Sequence, residues 1–205
     1  MEKNTFPGKF IVFEGLDGSG QSTQSGLLKD FLLKKGYNIL LAKEPTLDSE
    51  AGRKIRKVLR KELKIPPQEL QELFVQDRKE HLEKTIIPAL KQGKTVISDR
   101  YFLSSLAYGT SEGLDLEWLI EINSQFLFPD IIFLLKVNPE TCIKRAKKRN
   151  IKITLFEEKE KLAMVWQTYE ILPARFENIY VIDGEKSIEK VFEQIKNILN
   201  KKLNL

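Results

Sequence analysis

The run Phe13-Glu14-Gly15-Leu16-Asp17-Gly18-Ser19-Gly20-Gln21-Ser22-Thr23 holds the clearest chemistry in this chain. Its spacing is that of a phosphate-binding loop, G-x-x-x-x-G-K-[ST], with Gln21 where the motif has lysine. Gly15, Gly18 and Gly20 let the backbone turn sharply and approach a phosphate. Ser22-Thr23 then opens a helix, whose unpaired N–H groups and dipole favour an anion. Most of such a nest is backbone and survives the loss of lysine. The charge that bridges the β- and γ-phosphates does not. A glycine-rich turn that binds nothing is the alternative, and the order strand, loop, helix argues against it.

Other candidates stand where secondary structure should end. Asp99-Arg100 follows the apolar Thr95-Val96-Ile97-Ser98, and Lys136 closes the apolar run from Ile131. Lys144-Arg145-Ala146-Lys147-Lys148-Arg149 is basic at five of six positions, and Arg145 and Arg149 share a helix face. That segment reads as a solvated helix, a nucleic-acid patch or a cluster facing phosphates. His81 is the sole histidine and reads as a surface or satisfied side chain; with Cys142 it cannot make a zinc site.

The elements that must position these groups alternate. Strands are expected at 10–13, 38–43, 95–98, 131–137 and 179–182. Helices are expected at 22–35, 49–62, 68–92 with a bend at Pro88, 101–108, 115–127, 139–149, 157–176 and 187–202. This order implies an α/β fold, a five-stranded parallel sheet with helices on both faces, and ligands at the carboxyl ends of the strands.

At 205 residues the chain suits one domain, 1–205. A single cysteine fits a reducing, cytoplasmic setting. The start lacks an apolar leader, and no apolar run could span a bilayer, so no membrane partner is expected. A net charge of +5 suits small anionic substrates as well as nucleic acid.

FEGLDGSG–ST, KEP, LFVQDRKEHLEKTIIPAL, DRY--SS-AYG, PDIIFLLKV and the late IDG, in that order over about residues 10–184, resemble the thymidylate kinase family. The resemblance implies a three-layer P-loop NTPase fold with a small mobile lid at about 144–158. It implies transfer of the γ-phosphoryl of Mg·ATP to dTMP, giving dTDP, in a cytoplasmic homodimer with no nucleic-acid partner. ATP would lie on Gly15, Asp17, Gly18, Ser19, Gly20, Gln21, Ser22 and Thr23, and Mg²⁺ on Ser22 and, partly through water, Asp99. Phe74 would stack on thymine, and Arg78, one turn on, would reach a thymine oxygen or the acceptor phosphate. Arg100 would fork onto the monophosphate, Ser104 and Ser105 would read the base edge, and Tyr108 would crowd the 2′ position. Asp17 would accept the 3′-hydroxyl, with Glu44 and Pro45 in the same wall, and Arg145 and Arg149 would supply the lid cations. Apolar side chains around Leu103, Leu106 and Ile122 would allow pairing of two copies.

Three positions depart from the family pattern: Gln21, Lys136 where the family often has aspartate, and Leu155 where arginine is common. One expectation is that Lys136 reaches the phosphates left uncovered by Gln21. Alternatives to a dTMP kinase are a broader pyrimidine monophosphate kinase and a weakly active or inactive nucleotide-binding homologue.

Overall fold

The computed structural model describes residues 1–148 and 159–203. In chain order the strands are β1 (Glu2–Lys3), β2 (Phe10–Gly15), β3 (Ile39–Lys43), β4 (Thr95–Asp99), β5 (Leu127–Phe128), β6 (Ile131–Lys136) and β7 (Ile179–Asp183). The helices are α1 (Gln21–Lys34), α2 (Glu50–Leu59), α3 (Pro67–His81), α4 (Ile87–Lys91), α5 (Phe102–Ser111), α6 (Leu116–Asn123), α7 (Pro139–Lys148), α8 (Lys159–Arg175) and α9 (Ile188–Leu203).

Strand β2 is buried along its length, and its alternate residues serve opposite faces. Phe10 and Val12 enter one apolar cluster with residues of α2 to α8; Ile11 and Phe13 enter another with Leu28 and Leu32 of α1 and Ile195 and Leu199 of α9. A strand covered on both faces belongs in the middle of a parallel sheet. Accordingly, the five-stranded sheet runs β3-β4-β2-β6-β7 with every pair parallel. Parallel pairing brings Gly15, Lys43, Asp99, Lys136 and Asp183, the last residues of their strands, to one edge.

Three expectations need correction. The helix read at 68–92 breaks before Pro88: a π-helical turn, Leu82–Ile86, separates α3 from α4, and Ile87 N–H donates to Leu82 O. Proline has no N–H for the Lys84 carbonyl, and the wider turn takes up the mismatch upstream. The helix read at 115–127 stops at Asn123, and Leu127–Phe128 pairs in parallel with Glu2–Lys3. Two-residue strands leave no periodicity to read. Finally, Leu103 and Leu106 are fully buried within this chain and cannot form a face for a second copy.

Candidate active site

The phosphate loop follows from β2. Gly15, Gly18 and Gly20 all have positive φ. A Cβ on Gly18 would sit 2.5 Å from the Cys142 carbonyl oxygen, so the loop packs against α7 only with glycine there. Gln21 is almost fully buried, and its Nε2 donates to Gly15 O at 2.7 Å. The amide is turned back into the loop as a clamp.

At the start of α1, Ser22 Oγ donates to Asp99 Oδ2, and Lys43 Nζ donates to the same carboxylate oxygen at 2.7 Å and to Ser22 Oγ at 3.2 Å. The register that pairs Lys43 with Asp99 puts the ammonium there. Ser22 and Asp99 thus present hard oxygens that already hold a cationic group, which fits the donor set for Mg²⁺. Among the described residues no cluster of three or more His, Cys, Asp or Glu side chains could hold a metal alone.

Beside this pair lies a network built on Glu14, a carboxylate in the middle of the buried strand run. Its Oε1 accepts from the Tyr101 and Ser104 N–H groups at 2.9 and 3.2 Å, capping α5 from outside; its Oε2 accepts from Ser104 Oγ and from Tyr169 Oη at 3.2 Å. Burial pushes the Glu14 carboxyl from 4.5 up to about 7, against the pull of the Ser104 hydroxyl, the Arg100 charge and the backbone donors. A raised folded-state value stabilises the fold fully below about 4.5, and that contribution is lost as pH rises through about 7. The loss is at most about 3 kcal/mol. Denaturant melts of Glu14→Gln should therefore lack this decline between pH 4.5 and 7. Parallel profiles for variant and parent would contradict the assignment.

Arg100 has φ +77°, a left-handed conformation that turns its side chain back over the loop. It donates to Asp17 Oδ1, to Ser104 Oγ at 2.8 Å and to Gly15 O at 3.1 Å, and stacks over the Tyr108 ring. Burial works against its charge, but Asp17 first, then Tyr108 and Tyr169, hold it well above the usual guanidinium value. Tyr108 Oη donates to Asp17 Oδ2 and accepts from Asp17 N–H, and burial pushes its phenol upward.

A cavity opens next to this network, lined among others by Asp17, Pro45, Phe74, Arg78, Arg100 and Tyr108. Arg78 is only 1% exposed. It donates to Glu44 Oε2 at 2.8 Å, to Asn123 Oδ1 and to Ser105 Oγ at 3.1 Å. His81 lies 3.3 Å from the other Glu44 oxygen, a satisfied histidine. The Glu44–Pro45 peptide is cis. The neighbouring Asp77 does not pair with Arg78; it accepts from Thr46 N–H and from the Thr46 and Ser49 hydroxyls, tying the start of α2 to α3. A second cavity lies across the loop, lined by Gly18, Ser19, Gly20, Thr23, Arg145, Gly184 and Lys186 among others. Arg145 donates to Gly184 O at 3.0 Å and toward Ser19 O at 3.5 Å.

A thymidylate kinase family model matches residues 13–195. The chain belongs to the thymidylate kinase family. It is 41% identical over 202 residues to a probable thymidylate kinase of Pyrococcus horikoshii, covering 96% of this chain and 98% of that one. It is 37% identical over 198 residues to the thymidylate kinase of Desulfotalea psychrophila, covering 94% and 96%. A solved structure of thymidylate kinase from Candida albicans, described as having broad substrate specificity, superposes with a TM-score of 0.84 at 26% identity, covering 98% of this chain and 95% of that one.

Within this thymidylate kinase the two cavities gather most of the expected residues. Asp17, Glu44, Pro45, Phe74, Arg78, Arg100, Ser104, Ser105 and Tyr108 line the first. Lys136 is a correction: its ammonium pairs with Glu170 at 3.2 Å, lies over the Trp166 ring and lines a separate cavity with Asn138 and Asp183. Strand alternation gives Lys136 the same face as Leu134, toward α8, so its stem leads away from the loop. Arg149, Leu155 and most of the expected lid lie outside the described residues. Glu14, Lys43, Asn123 and Tyr169 escaped the sequence reading. Only Glu14 carried a signal, as a charge inside a run otherwise fit for burial.

Proposed function

We propose that this thymidylate kinase moves the γ-phosphoryl of ATP onto dTMP across the phosphate loop, with dTMP in the cavity that contains Phe74 and ATP in the one that contains Arg145. The observation that carries this reading is that consecutive loop residues, Asp17 and Gly18, line the two cavities, with Arg100 and Lys43 in the wall of the first and Lys43 bonded to Ser22 and Asp99. Phe74 offers a ring to the base, and Arg78 and Ser105 hold a buried polar wall behind it. Arg100 places a fixed fork and charge beside the acceptor phosphate. Tyr108 and Asp17, bonded to each other, face the sugar. Ser22 and Asp99 would hold Mg²⁺, which when bound neutralises the β- and γ-phosphate oxygens. The acceptor is already a phosphate dianion near neutral pH, so the protein positions and neutralises, and no side chain need take a proton.

Cytoplasmic residence, a homodimer and a single domain over 1–205 belong to the same proposal. Ile122, partly buried on α6, is what remains of the apolar face around Leu103, Leu106 and Ile122 suggested for pairing. The test is dTDP formation from dTMP and Mg·ATP, with AMP and UMP alongside. Turnover that prefers dTMP is expected. Binding of both nucleotides with no dTDP would overturn the catalytic reading and leave a nucleotide-binding homologue.

A further inference from the structure

Gln21 leaves the phosphate loop one positive charge short, and its amide is spent on Gly15 O. The cations near the loop are mostly committed elsewhere. Arg100 is held by Asp17 and Ser104 and Lys136 by Glu170, while Arg145, bonded to the carbonyls of Gly184 and Ser19, lines the cavity assigned to ATP on the other side of the loop from the acceptor. Lys43 is paired as well, with Asp99 Oδ2 at 2.7 Å, but its partner is itself part of the site: it ends β3 beside Asp99, its Nζ also lies 3.2 Å from Ser22 Oγ, and it lines the acceptor cavity. Its side chain is 57% exposed, so the ammonium is carried on a flexible stem at the mouth of the site rather than locked in the core.

We propose that Lys43 is the cation that stabilises the transferring phosphoryl group in this chain, in place of the missing loop lysine. The assignment rests on the kinase reading above. In the transfer, a bond forms between an acceptor phosphate oxygen and the γ-phosphorus. The bond from that phosphorus to the β–γ bridging oxygen breaks, and its electron pair leaves on ADP. Negative charge spreads over the γ-oxygens and the leaving oxygen, where a positioned cation lowers the barrier. Lys43 takes no part in bond making or breaking and acts by charge alone. It approaches from β3, across the sheet edge from the loop, so the charge lost from one element is restored from another.

Steady-state kinetics, with thermal shifts as a second readout, test this. Lys43→Met should lower kcat by on the order of 10²–10³-fold, with the KM for dTMP changed far less. Lys43→Arg should keep most of the rate. Adding Gln21→Lys to Lys43→Met should restore at least about tenfold, because the two sites supply one charge. In the parent chain, aluminium fluoride with Mg·ADP and dTMP should raise the melting temperature beyond Mg·ADP and dTMP alone. In Lys43→Met that extra shift should vanish while the shift from Mg·ADP and dTMP remains. Unchanged turnover of Lys43→Met, a loss relieved neither by arginine nor by Gln21→Lys, or a retained fluoride-dependent shift would each overturn the proposal. Failure of the parent to make dTDP would count against the kinase reading, whereas the thermal shifts still judge Lys43.

Discussion

Arg100→Met should lower kcat/KM for dTMP by about 10³-fold or more while the chain still folds. One guanidinium bonds Asp17, Ser104 and the Gly15 carbonyl, and faces the acceptor cavity. Removing it strips the site of a charge and frees Asp17 Oδ1, leaving the other carboxylate oxygen on Tyr108. Lysine should rescue little, since a single ammonium cannot reproduce a planar fork onto carboxylate and hydroxyl together. The same loss should push the Glu14 carboxyl still higher, because Arg100 is one of the groups that pulls it down. Steady-state kinetics of the methionine and lysine variants, with melts to confirm folding, would check this. A methionine variant within tenfold of the parent would refute the role.

Arg78→Met should instead strike the fold. It would strand Glu44, 3% exposed, with His81 as its remaining partner, and leave Asn123 Oδ1 without its donor. Breaking a buried ion pair from one side costs about 3–5 kcal/mol. For a chain of this size that is a fall in Tm of roughly 10 °C. The double variant Arg78→Met with Glu44→Gln should recover part of the loss, since it removes the uncompensated charge. Melts of both variants decide it. A single variant that melts with the parent would show that the pair contributes nothing net.

Much of the architecture is legible in the residues because it rests on local periodicity. The all-apolar Phe10 to Phe13 run could only be a covered strand, and its loop and helix follow from glycines and hydroxyls within ten residues. The partners of Glu14 are another matter. Tyr101, Ser104 and Tyr169 lie 87, 90 and 155 positions away, and no pattern along the chain announces that they converge. The direction of a side chain is hidden for the same reason. Gln21 and Lys136 were both singled out by type, yet one folds back onto the loop and the other leaves for α8, because burial and a distant glutamate decide it. Lys43 passed as part of a KEP motif, and only its register against Asp99 reveals where its ammonium goes.

Tyr169 touches Ser104, Glu14 and the Gly15 carbonyl with one hydroxyl, so α8, α5 and the phosphate loop hang from a single knot. Loosening any of the three elements means unsatisfying buried polar atoms in the other two, which no small excursion can repay. The loop and the acceptor wall should therefore open together or not at all, as one cooperative unit near the top of the chain's ladder of local unfolding.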